Sequence, residues 1–175
     1  MNYKELKVIL QESKTSIIAA FLLFTVNAGL FFDFFGIDWY KNVGSYFEFD
    51  KALILKGEVW RIITCHLVHW SPEHFLLDAM VFITLGIVFE QKIGRRYWEV
   101  LVVSAIIISL SLLIFLNSLD KYRGISGLIN TQFILGIGLF IFDRKLNRSL
   151  KGLFIAIFSV HIVKVINETI NHHDY

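Results

Sequence analysis

Residues 97–116 read YWEVLVVSAIIISLSLLIFL, the most uniformly apolar run in the chain. About 20 such residues, coiled as a helix, match the hydrocarbon thickness of a bilayer. This segment therefore predicts a transmembrane helix, and the rest of the chain is read outward from it. On its N-terminal side, residues 74–89 form a second apolar run, closed by Glu90, Lys92 and Arg95. Further back, residues 16–35 are apolar except for Asn27 and Asp33. That run is too long for a signal-peptide core and no small-residue cleavage site follows it, so it predicts an uncleaved first span. On the C-terminal side, residues 125–142 give a short, glycine-containing span, and residues 150–170 give a fifth.

The composition agrees. Of 175 residues, 55% are hydrophobic and 18% charged, whereas a soluble domain is nearer a quarter charged. Mean hydropathy is +0.61. Seventeen phenylalanines and one proline exclude a disordered chain. A net charge of +2, from 17 basic and 15 acidic residues, is too small to indicate nucleic acid as a partner. The single cysteine, Cys65, excludes an intrachain disulfide. The expected fold is all-α: one polytopic membrane bundle over residues 1–175, with about five spans. Residues 1–15 form a polar tail. Residues 36–73, with charges and the aromatics Trp39, Tyr40, Tyr46 and Trp60, form a structured first loop at the membrane surface.

Orientation follows from lysine and arginine. Lys4, Lys7 and Lys14 precede the first span; Lys92, Arg95 and Arg96 join the second to the third; Arg144, Lys145, Arg148 and Lys151 join the fourth to the fifth. The third–fourth connection has only Lys121 and Arg123. This alternation predicts a cytoplasmic N-terminus in a multi-pass inner-membrane protein. The long first loop and the start of the fourth span then face outward.

Two places carry polar groups that a purely structural bundle does not require. In residues 60–78, WRIITCHLVHWSPEHFLLD, Ser71 is a natural N-cap and Pro72 suits the first helical position. His74 and Asp78 then share a face one turn apart. A carboxylate inside a span costs about 3 kcal/mol on insertion scales, so Asp78 is expected to face inward with a partner. The second place is Tyr122-Arg123-Gly124-Ile125-Ser126-Gly127, where two glycines flank Ser126. Each residue also has a bland reading: Ser126 as a small packing residue, His74 with Asp78 as a pair ordering a helix start, His66 and His69 as loop hydrogen-bonders. His66, His69, His74 and Asp78 offer enough donors for zinc, but their spacing is not diagnostic and the H-E-x-x-H motif is absent. No metal or cofactor is expected.

Taken together, these residues resemble the rhomboid intramembrane serine proteases, most closely the rhombosortase branch. The resemblance rests on Trp60-Arg61, on His69, His74 and Asp78 at spacings of five and four, on Glu90 with Gly94, and on Gly124-Ile125-Ser126-Gly127. It implies a nucleophile at Ser126, oxyanion and substrate binding by His74, the residue at 78, Gly124 and the Ser126 backbone N–H, and structural roles for His69, Arg61, Glu90 and Gly94. The substrate implied is a transmembrane segment of a membrane-anchored protein, cut near the outer face.

The sequence departs from the family twice. Family members have asparagine where this chain has Asp78; an amide can donate to an oxyanion, and a carboxyl can do so only when protonated. The family's base is a histidine on a sixth span, whereas five are predicted here. After Ser126 the intramembrane histidine is His161, on a face with Lys164 and Glu168. At 1.5 Å per residue, Ser126 stands about 24 Å above the cytoplasmic end of its helix and His161 about 15 Å above its own. Asn167 is nearer the right level, and His172 and His173 lie beyond it. Three expectations follow: a protease using Ser126 and His161, an inactive rhomboid-like protein that binds transmembrane clients, or a longer natural chain.

Overall fold

A computed structural model describes residues 11–33, 39–116 and 119–141, together with 151–166 apart from positions 153, 157, 161, 164 and 165. It divides into two compact units, residues 1–129 and 130–175.

In the first unit, α1 (Lys14–Asp33) leads to α2 (Trp39–Phe47), a two-residue strand β1 (Phe49–Asp50), and the short helices α3 (Lys51–Leu55) and α4 (Arg61–Thr64). α4 tightens into a 3-10 turn at Cys65–Leu67. The long helices α5 (Pro72–Ile93) and α6 (Arg96–Phe115) follow, then β2 (Lys121–Tyr122) and α7 (Ser126–Gly136), which widens into a π-helical turn at Ile137–Ile141.

The ends of α5 follow from local chemistry. Ser71 has extended backbone and its hydroxyl accepts from the His74 N–H at 3.3 Å. Pro72 takes the first helical position, where a missing N–H costs nothing. At the other end Gly94 adopts φ +63°, which side chains resist, and its N–H returns to the Glu90 carbonyl at 2.8 Å. Ser71 and Pro72 are the start signals the sequence predicts; the C-cap role of Gly94 comes from the structure.

α1 runs antiparallel to α5. Phe24 meets Phe75 edge-on at 5.0 Å near one end. At the other end Glu90 accepts from the Thr15 and Ser16 backbone N–H groups and from the Ser16 hydroxyl, at 3.1, 2.7 and 2.7 Å. The carboxylate thus caps the first turn of α1, where orphan donors and the helix dipole favour an anion.

Two helices among the described residues, α5 and α6, are long and apolar enough to cross a membrane. Only 17% of the most apolar window of α6 is buried within the protein. Val102, Val103, Ile107 and Ile114 on it are more than half exposed, as suits a lipid-facing helix. The apolar segments Lys14–Leu30 and Ser126–Leu139 are shorter. Of the five spans predicted from hydropathy, two therefore meet the length criterion. The segment at 150–170 is described only in part; its Lys164, Asn167 and Glu168 lie outside the described residues, as do His172, His173, most of the N-terminal tail and the basic connection at 142–150.

The first loop is structured throughout 39–71. β1 pairs antiparallel with β2, Phe49 opposite Tyr122 and Asp50 opposite Lys121. Phe49, Ile54 and Cys65 form a buried cluster closed by Ile62, Leu112, Leu113 and Tyr122. This packing joins the loop to the end of α6 and to the segment before α7. In the second unit, Phe133, Phe154 and Phe158 pack as an aromatic group, with Gly136 directly under the Phe154 ring.

Candidate functional site

The site is built where the first loop, the start of α5 and the β2–α7 turn converge. Gly124 is the hinge of that turn. It has φ +125°, a conformation that L side chains rarely adopt, and its N–H donates to the Cys65 carbonyl at 3.0 Å. A Cβ placed on it would lie 3.7 Å from His74 Cε1 and 3.9 Å from His69 Cδ2. The glycine therefore brings the turn carrying Ser126 against both imidazoles.

His74 points along α5 so that its Nε2 lies 3.1 Å from Asp78 Oδ2. The His74 side chain is 20% exposed and that of Asp78 only 3%. Asp78 is thus the inward, partnered carboxyl that its cost in a span requires. His69 meets His74 edge-on, with ring centres 5.5 Å apart, and is fully buried. Its Nδ1 lies 3.1 Å from the Asn27 amide oxygen, which can only accept, so Nδ1 carries the proton. Asn27 donates in turn to the Leu67 carbonyl at 2.7 Å. A polar residue of α1 thereby fixes both the ring and the backbone that leads to it.

Ser126 opens α7 and is half-buried. Its Oγ lies 3.4 Å from the phenol oxygen of Tyr122, which donates its single proton to the Gly124 carbonyl at 2.9 Å. Burial pushes the Tyr122 phenol up to about 12, so it stays protonated at any physiological pH. It can orient the serine hydroxyl but cannot serve as its base.

His66 sits behind the turn. Its Nε2 lies 3.1 Å from Ser109 Oγ and 3.2 Å from the Ala105 carbonyl, and its Nδ1 lies 3.4 Å from the Gly124 carbonyl. Burial lowers its pKa below the ordinary histidine value. The native state then binds fewer protons than the unfolded chain. Stability is complete above about pH 6.5 and is lost as pH falls through that value towards the lowered one. The thermal midpoint in detergent is expected to drop between pH 7.5 and 5.5, and His66→Gln should flatten that dependence. An equal acid-induced drop in the variant would refute the assignment.

The remaining predicted residues lie farther back. Arg61 is 3% exposed and binds Glu58, the Ser45 carbonyl and the Glu48 carbonyl. Glu90 and Gly94 are at the far end of α5. Sequence reading thus named Ser126, His74, Asp78, Gly124 and His69, which the structure gathers, and Arg61, Glu90 and Gly94, which stand outside the cluster. His161 lies outside the described residues. Tyr122, Asn27 and Glu48 were not assigned roles. Asn27 carried a signal, since a polar residue in an apolar run calls for a partner.

The donor set weighed for zinc is dispersed among separate partners: His66 faces α6, His69 faces Asn27 and His74 faces Asp78. Among the described residues no group of three His, Cys, Asp or Glu is arranged to hold a metal.

The chain matches the Rhomboid domain family over residues 56–174. No curated protein and no solved structure matches it. The matched segment takes in α4 to α7, including the Gly124 turn and the His74–Asp78 pair, and covers well over half of the chain; this protein belongs to the rhomboid family.

Proposed function

We propose that this protein is a rhombosortase-like intramembrane serine protease that cuts membrane-anchored proteins near the outer face of the inner membrane, with five spans and a cytoplasmic N-terminus. The observation that carries the reading is the left-handed Gly124, a conformation that a side chain would strain, placed beside the His74 and His69 rings in the turn that presents Ser126. A half-buried hydroxyl at the head of a helix, two residues after such a glycine, is open to attack a carbonyl once a base takes its proton.

In this reading Ser126 Oγ attacks the scissile carbonyl of a transmembrane segment. The Ser126 backbone N–H, at a helix N-terminus, and the His74 imidazole receive the oxyanion. The sequence offers His161 as the base, although helix register alone sets it about 9 Å below Ser126: it would take the serine proton, return it to the departing amine as the C–N bond breaks, and then deprotonate the water that releases the acyl group. Gly124 leaves room for the substrate backbone. His69, Arg61, Glu90 and Gly94 hold the scaffold.

Labelling with a fluorophosphonate tests this directly. Folded protein in detergent is expected to become covalently modified, and Ser126→Ala to abolish the signal. Absence of labelling in folded wild-type protein would overturn the protease reading and leave a client-binding, non-cleaving rhomboid.

A further inference from the structure

The segment before Ser126 alternates like a strand, and its two sides do different things. Lys121 and Arg123 project to one side, where both meet Glu48. Lys121 Nζ lies 2.6 Å from Oε1, and Arg123 Nε and the neighbouring amine lie 2.9 and 2.8 Å from Oε2. Glu48 is 1% exposed, so this carboxylate is surrounded by its two cations and not by water. The Arg123 guanidinium also lies 4.2 Å over the Trp70 ring, one residue before the Ser71 cap of the helix that carries His74. Gly44 of α2 makes room for it, since a Cβ there would stand 2.5 Å from the guanidinium. Tyr122, on the other side, enters the buried cluster and meets His66 edge-on at 5.8 Å.

We infer that Tyr122 is a positioning residue for Ser126, set in place by the Glu48 clamp on Lys121 and Arg123. The phenol proton is committed to the Gly124 carbonyl, so the phenol oxygen acts as the acceptor towards the Ser126 hydroxyl. One oxygen thereby ties the glycine hinge to the serine hydroxyl that opens α7. The clamp fixes its height: a one-residue slip of β2 would exchange Tyr122 for a cation. Because Arg123 also stacks on Trp70, the same device registers the serine turn against the start of α5. This inference rests on the protease reading for its consequence in catalysis, but the geometry it claims can be measured without activity.

The test uses full-length protein in detergent, with serine labelled at Cβ for NMR and the Ser126 resonance assigned by its loss in Ser126→Ala. Tyr122→Phe keeps the ring in the core and removes the oxygen. It is expected to move the Ser126 signal towards rotamer-averaged values and to slow fluorophosphonate labelling by about tenfold, with the thermal midpoint showing that the fold persists. Glu48→Gln should move the signal in the same direction. An unchanged Ser126 resonance in Tyr122→Phe overturns the inference, as does a shifted resonance with unchanged labelling in a protein whose wild type is labelled. An unchanged resonance in Glu48→Gln overturns the clamp. If wild-type protein is not labelled at all, the protease reading fails, and the resonance alone decides whether Tyr122 holds the hydroxyl.

Discussion

Arg61→Ala is expected to cost about 4 kcal/mol of stability and to release the first loop. The guanidinium is buried, and its contacts are all inside the loop: Glu58 at 2.7 Å, the Ser45 carbonyl at 2.7 Å and the Glu48 carbonyl at 2.9 Å. α2 and α4 are too short to be stable alone, and nothing else in the loop offers donors in a rigid fork. Alanine would leave the Ser45 and Glu48 carbonyls without their donor and the partly exposed Glu58 carboxylate without its cation. Arg61→Lys keeps the charge but loses the fork, and about half the loss should remain. Thermal unfolding in detergent, with limited proteolysis of residues 39–71, measures both. A midpoint for Arg61→Ala within a degree or two of wild type would show that the loop is held by its apolar cluster alone.

Asp78→Asn is expected to speed fluorophosphonate labelling and peptide cleavage by on the order of 100-fold. Asp78 Oδ2 lies 3.1 Å from His74 Nε2, so the carboxyl stands beside the ring nitrogen that would otherwise face a substrate oxygen. In the proposed protease reading, an ionised carboxyl there would add negative charge where the oxyanion forms. The amide has the same shape, frees the imidazole and brings an N–H of its own. Asp78→Ala separates these effects, since it removes the repulsion without adding a donor, and its gain should be smaller. A slower Asp78→Asn variant would mean that the carboxyl is itself a proton donor, and the repulsion argument at this position would have to be abandoned.

What could be read from the chain alone divides by distance along it. The start of α5 was legible because Ser71 and Pro72 are local signals whose effect reaches only a turn, and its end because Glu90, Lys92 and Arg95 break the apolar run. α6 was legible because its apolarity is unbroken. α7 was legible at its start, but its π-helical widening at Ile137–Ile141 has no counterpart in hydropathy. The contents of the first loop were not legible, because its pieces are set by remote partners: β1 by β2, and Glu48 by Lys121 and Arg123, more than 70 residues away. The same holds within the site. The one-turn spacing gave His74 with Asp78, and the glycines gave Ser126. The partnership of Asn27 with His69 crosses 42 positions and no periodicity announces it. Tyr122 is only four residues from Ser126, yet its role depends on which face of a two-residue strand it occupies, and that is decided by Glu48.

Cys65 gives the protein a practical property. It is the sole cysteine, wholly enclosed, and burial raises its thiol to about 11, so at neutral pH only about one molecule in ten thousand carries the reactive anion. Maleimides and spin labels should pass it by. The natural sequence is then already a silent background for reporter chemistry, and a thiol introduced at an exposed position of α6 or of the first loop would report its own immersion depth without any prior substitution.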